Sequence, residues 1–209
     1  MNHIMINVVK YLPWLLKQFQ HEGGQIVQQT IHNLYNNPVF DLYYKVINCT
    51  GIGAKELVND LNIYPTRGRT IIVYQPEIKE IWREKQSNPV YILPRGDGTV
   101  ICGGTYEDNN WSLDLNDIDT ENEIWNKCTT LVPLLKKGKI LGQSCGLRPT
   151  RHGGTRFEFD SIDNKILHCY GHSGWGFQCS WGVAVEVANK LQNQINNRNN
   201  NTSTIRSKL

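Results

Sequence analysis

The chain has 209 residues, of which 39% are hydrophobic and 20% charged, with a formal net charge of +3; this is enough to bury a core in one domain or two small interleaved ones, and it excludes a disordered chain. So small a charge, with no basic stripe, argues against nucleic-acid binding, and no apolar run has the length or flanks of a bilayer span or a secretory signal. Six cysteines without a CxxC pair and six histidines without HxxxH spacing argue against zinc, redox and other metal sites, and imply reduced thiols in a reducing interior.

Residues up to 24 end in a helical pattern, with Leu12, Leu15, Leu16 and Phe19 on one face, Pro13 near the first turn or at a kink, and Gly23-Gly24 as the stop. Residues 25–31 read as a short strand. The apolar run Val46 to Cys49 leads into Thr50-Gly51-Ile52-Gly53 and a helix from Ala54 to Leu61, an α/β unit whose turn lies where such sheets bind ligands. Thr70 to Tyr74 is a β-branched strand. Residues 77–86 read as a helix or a mobile loop. Val90 to Pro94 and Thr99 to Thr105 form a hairpin around Asp97-Gly98, with Tyr91 and Tyr106 near its outer ends. A helix around Glu121 to Leu131 ends before Pro133.

Arg148-Pro149-Thr150-Arg151 followed by Gly153-Gly154 reads as a rigid turn carrying two arginines. Most such arginines are solvated, but a planar guanidinium also offers a two-pronged grip for a carboxylate. Arg156 to Ser161 alternates as a strand and turns at Asp163-Asn164 into the apolar strand Ile166 to Tyr170. That strand breaks into a loop with Gly171, Gly174 and Gly176, and a helix runs from Val183 to Ile195. Strand, glycine loop and helix N-terminus together favour an anionic or electron-rich ligand. The asparagine-rich stretch from Gln192 to Thr204 reads as a disordered spacer, and the chain ends in Ser207-Lys208-Leu209, a peroxisomal import address.

The runs NCTGIGAKEL (48–57), RGRTIIV (67–73), VYILPRGDGTVICGGTYEDNNWSL (90–113), GLRPTRHGG (146–154) and YGHSGWGFQCSWG (170–182) resemble the C-terminal portion of D-amino-acid oxidases, particularly the fungal type. The resemblance implies an α/β fold with a mixed sheet: part of an FAD-dependent oxidoreductase fold, with a D-amino-acid-oxidase-like substrate domain. It assigns 1–66 to a partial FAD-binding portion, 67–160 to the substrate domain, 161–191 to a return to the FAD-binding portion, and 192–209 to the tail. It places Arg151 on the substrate carboxylate and Tyr91 and Tyr106 at the active-site tyrosine positions. Ile31, Thr50, Ser173, Gly174, Gly176, Phe177 and Gln178 fall at FAD-contacting positions, and Arg148 is expected to be structural. The implied reaction is oxidation of a D-amino acid by FAD and dioxygen in the peroxisomal matrix, with the import receptor as a partner and a homodimer as an allowed assembly.

Two departures from the family pattern matter. The strand and GxGxxG that hold the FAD pyrophosphate are missing, so the expectation is a truncated member, with a non-catalytic fragment as the alternative; a non-enzymatic α/β binding module is allowed by composition alone. Where D-aspartate oxidases carry an arginine after the hairpin GGT, this chain has Tyr106, which implies a preference for neutral D-amino acids.

Overall fold

A long central strand organises most of the chain in the computed structural model, which describes residues 5–35, 37–84 and 90–206, with side chains described as far as 197. After α1 (Val8–His21), α2 (Pro38–Asp41), β1 (Val46–Asn48), a short 3-10 turn (Gly51–Gly53) and α3 (Ala54–Leu57), that strand is β2 (Ile63–Tyr74). One edge of β2 is paired along its whole length with β7 (Lys139–Arg151). Its other edge is shared between β5 (Thr99–Gly103) and β6 (Glu107–Asp108), and β4 (Val90–Pro94) and β3 (Trp82–Glu84) continue the sheet beyond β5.

Strand alternation gives this sheet two chemically different faces. Ile71 and Val73 of β2, Ile92 of β4 and Val100 and Cys102 of β5 lie on one face and bury themselves against Ile124 and Cys128 of α4 (Ile118–Leu131) and against Leu135 beyond it. The Asp117 carboxylate caps α4 by accepting the Thr120 N–H at 3.1 Å. The opposite face carries Thr66, Gly68 and Thr70 of β2 and is left for polar side chains.

A second, three-stranded sheet has the order β1-β9-β8, from β9 (Ile166–Tyr170) and β8 (Arg156–Phe159). All five residues of β9 are buried, as a continuous apolar run at the centre of a sheet predicts. β1 pairs with it in parallel, which requires the long crossover that the larger sheet supplies. By packing, residues to Gly174 form one unit and those from Trp175 a second, which contains α5 (Gly176–Arg206).

Several expectations change. Residues 25–31 run as loop with no strand partner among the described residues, and a lone segment has no ladder for its backbone groups. The helix from Ala54 stops at Leu57, with Asn59 in the left-handed region at φ 50°. β2 begins seven residues before Thr70, passing through Pro65 and Gly68, because β7 offers it a continuous partner. Arg148 to Arg151 is the end of β7, not a turn; the chain reverses only at Gly153 and Gly154, with φ of 80° and 87°. Pro133 does end α4 as expected. Where a disordered spacer was expected from Gln192, α5 continues to Arg206, with no glycine or proline after Gly182 to break it. Residues 85 and 86 and Ser207-Lys208-Leu209 lie outside the described residues.

Candidate active site

On the face of the larger sheet turned away from α4, register brings three side chains of the hairpin and β7 together. Tyr91 pairs with Gly103, which pairs with Thr70, and Thr66 pairs with Arg148, so all these residues share one face. Two glycines make the room. A Cβ on Gly103 would stand 2.2 Å from the Tyr91 ring, and one on Gly68 would stand 2.2 Å from the Arg148 guanidinium. The tyrosine ring and the guanidinium therefore lie flat on bare backbone, which no other residue type permits.

Arg148 stacks on Tyr106, with its guanidinium carbon 4.1 Å from the ring centroid. Its Nη1 donates to the Thr105 carbonyl at 3.1 Å and the Thr66 carbonyl at 3.4 Å, and the Tyr91 hydroxyl is within hydrogen-bonding reach. Burial pushes the Tyr91 phenol above its ordinary value, and the charge of Arg148 only partly offsets this. Tyr91 is therefore a proton donor at neutral pH.

The arginines of β2, β7 and β8 differ in one decisive respect. Arg67 grips both oxygens of Glu107 at 2.9 Å, Arg69 lies 3.5 Å from Asp117, Arg151 pairs with Asp60 at 2.8 Å, and Arg156 pairs with Glu158 and Asp160. Among the described residues, no carboxylate lies within ion-pair distance of Arg148. A fixed, partly buried guanidinium held only by carbonyls and a ring lacks its strongest kind of partner, a carboxylate accepting two parallel N–H bonds.

Arg151, expected on the substrate, is paired within the protein. Residues three apart on a strand point to opposite faces, so Arg148 and Arg151 leave β7 on opposite sides of the sheet. Arg151 donates from Nε to Asp60, whose side chain is only 4% exposed, and from Nη1 to the carbonyls of His152 and Gly154. The Tyr170 hydroxyl donates to the same Asp60 oxygen and in turn accepts from Arg156. Burial alone would raise the Asp60 carboxyl, but the hydrogen bonds from Arg151 and Tyr170 outweigh it and hold the group below its ordinary value. Arg151 is thus held in an ion pair with a buried carboxylate, whereas Arg148, expected to be structural, has no carboxylate partner among the described residues.

A second buried polar chain reaches Thr50. His168 Nε2 lies 2.8 Å from the Asp160 carboxylate, so the ring proton sits on Nε2, and Nδ1 accepts from the Asn48 amide at 3.1 Å. This orients the Asn48 Oδ1 to accept the Thr50 hydroxyl at 2.7 Å and the Thr50 N–H at 3.2 Å. Burial holds the His168 imidazole below its ordinary value, and its hydrogen bond to Asp160 only partly opposes this; burial lowers His172 as well. A histidine kept neutral in the fold binds fewer protons than in the unfolded chain, so stability is lost as pH falls below the unfolded value of about 6.5. Asp160, whose burial is outweighed by hydrogen bonds from His168, two backbone N–H groups and Tyr35, adds a loss at lower pH, where its carboxylate is protonated. Thermal midpoints measured between about pH 8 and pH 2 should therefore fall in two stages, the upper below about pH 6.5 and the lower below about pH 4, and His168→Gln should shrink the upper stage.

The other expected ligand positions divide. Gly171 and Ser173 have φ of 87° and 50°, and the Ser173 hydroxyl is tied to Thr150 at 2.9 Å. Gly174 follows with no side chain: its Cβ would stand 3.5 Å from the Arg148 side chain and 3.7 Å from the Tyr106 hydroxyl. The glycine loop thus borders the site of Arg148, Tyr91 and Tyr106, which suits a planar ligand passing close to backbone. Thr50 is exposed beside its own turn, and Ile31 lies half-buried in loop. Gly176, Phe177 and Gln178 form the first turn of α5 in the second unit.

Comparison with known proteins agrees with this architecture. The family described as FAD dependent oxidoreductase matches residues 2–190. The chain is 37% identical over 185 residues to a D-amino acid oxidase of Dugesia ryukyuensis and 34% identical over 183 residues to a D-aspartate oxidase of Homo sapiens, in each case across 85% of this chain. It covers 54% and 52% of those proteins, and so spans about half the length of the curated relatives it matches. The fold resembles the crystal structure of glycine oxidase from Geobacillus kaustophilus with a TM-score of 0.62 at 18% identity, covering 69% of this chain and 40% of that one. With the match extending over nearly all of its length, the chain belongs to the family of FAD-dependent oxidoreductases.

Proposed function

We propose that the protein serves FAD-dependent oxidative deamination of D-amino acids, with Arg148 receiving the substrate carboxylate. The observation that carries this reading is the guanidinium of Arg148, without a carboxylate partner among the described residues, stacked on Tyr106 beside Tyr91 and bordered by Gly174. A carboxylate placed there completes the fork of Arg148 and takes the Tyr91 hydroxyl as a further donor. Held at one end, the amino acid keeps its α-carbon at a fixed height over the sheet, which is catalysis by positioning. Bound FAD supplies the two-electron acceptor for the α-hydrogen, and dioxygen takes up those electrons as hydrogen peroxide. The resulting imino acid hydrolyses to a 2-oxo acid and ammonia, a step that needs no protein base.

Tyr106 sets the proposed preference. It presents a neutral ring, 45% exposed, beside the guanidinium, so a second substrate carboxylate would find no cation from this position and would lose water without compensation. Turnover of D-alanine is expected to exceed that of D-aspartate, read by coupled detection of peroxide. A clear preference for D-aspartate would overturn the assignment. The terminal Ser207-Lys208-Leu209 supports import of this peroxide-producing chemistry into peroxisomes through the import receptor.

A further inference from the structure

Cys49 and Cys169 meet at the end of the parallel pair of β1 and β9. The ladder ends by pairing Asn48 with His168, and Cys49 and Cys169 are the residues that follow this last pair in the two segments. Their thiols are within hydrogen-bonding reach of each other. Neighbouring strands stand about 4.8 Å apart, inside the Cα separation of about 4.4–6.8 Å that a disulfide bridges. The two thiols differ in access, Cys49 being exposed and Cys169 buried behind it. An accessible thiol backed by a second thiol in bonding register is the arrangement of a reacting and a resolving cysteine.

We propose that Cys49 and Cys169 are a peroxide-responsive pair that closes to a disulfide joining β1 to β9. The Cys49 thiolate attacks one oxygen of hydrogen peroxide; the O–O bond breaks and the leaving hydroxide is protonated to water, leaving a sulfenic acid on Cys49. The Cys169 sulfur then attacks the Cys49 sulfur, the S–O bond breaks, and a second water leaves with the Cys169 proton. Two thiols are oxidised by two electrons and one peroxide is reduced by two. The thiolate is favoured on the exposed member: the hydrogen bond from Cys169 draws Cys49 below the ordinary thiol value against the opposing effect of burial, while the same bond and burial push Cys169 up. The product would fasten the strand end that leads into Thr50. Cys102 and Cys128 form another neighbouring thiol pair, but both lie in the main core away from solvent, so they provide an internal comparison with the same chemistry and no access.

The test uses the full chain, reduced, freed of reductant and exposed to added hydrogen peroxide, so its outcome does not depend on oxidase activity. After blocking of remaining thiols and non-reducing digestion, mass spectrometry should find a peptide pair joined through Cys49 and Cys169, reversible by dithiothreitol, with Cys102 and Cys128 still reduced. In Cys169→Ser, where no resolving thiol remains, labelling of Cys49 by dimedone should rise about tenfold over the unsubstituted chain. The proposal is overturned if Cys49 remains fully alkylatable under peroxide that oxidises the exposed Cys179, or if Cys49 links to a cysteine other than Cys169. The peptide map of the unsubstituted chain decides this even if the serine variant fails to fold.

Discussion

Replacing Arg148 with methionine is expected to raise the KM for D-alanine about 10- to 100-fold, the loss of a charge-assisted bidentate contact of about 1.5–3 kcal/mol. The guanidinium has no carboxylate among the described residues and bonds only the carbonyls of Thr66 and Thr105, so its removal strands no buried charge and the fold should survive. Arg148→Lys retains the charge but not the planar fork, and should recover part of the affinity. The stacking on Tyr106 at 4.1 Å would be weakened in both variants, so circular dichroism in the aromatic region provides a check on local geometry. Steady-state kinetics over a range of D-alanine concentrations reads the effect, and an unchanged KM in Arg148→Met would remove Arg148 from the site.

Arg151→Met should act in the opposite way, on stability rather than on substrate. Its partner Asp60 is 4% exposed at the side chain, and removing one member of a buried ion pair typically costs about 3–5 kcal/mol because the remaining charge has lost its compensation. Tyr170 and the Asn62 N–H still donate to Asp60, which places the cost toward the lower end of that range. Two further measurements identify the cause. Asp60→Asn in the Arg151→Met background should restore much of the loss, because no charge is then stranded. The deficit should also shrink in acid: without Arg151 the Asp60 carboxyl rises from its depressed value, takes up a proton on acidification and becomes cheaper to bury. Urea unfolding at neutral and acid pH reads both. An Arg151→Met chain as stable as its parent, but unable to bind D-alanine, would reverse the roles of the two arginines.

Elements whose patterns are strong and local were readable before any coordinates. The Asp97-Gly98 hairpin, the helix ending before Pro133 and the apolar strand Ile166–Tyr170 stand as expected, since each carries its own punctuation. In the stretch Arg148–Arg151, proline and nearby glycines imitate a turn, whereas β7 tolerates Pro149 opposite Pro65. Once the stretch is a strand, the odd spacing of the two arginines separates them by face, and that signal was present in the sequence. The seating of Arg148 and Tyr91 side by side depends on Gly68 and Gly103, whose roles rest on cross-strand register that no local window contains. The partners of the buried histidine and of Asp60 were not readable either. Asn48 and His168 are 120 residues apart and Asp60 and Tyr170 are 110 apart, joined only by the long crossover through the larger sheet.

The central claim, a D-amino-acid site built on Arg148 in a flavin-dependent chain, is tested most directly by the visible spectrum of the purified protein incubated with FAD and then given D-alanine without oxygen. The expected result is a bound oxidised flavin band that bleaches on addition of D-alanine, together with an Arg148→Met variant that carries the same band but needs about 10- to 100-fold more D-alanine to bleach it. A protein that takes up no flavin would contradict the FAD part of the claim. A flavin band that bleaches at the same D-alanine concentration in both proteins would contradict the role of Arg148.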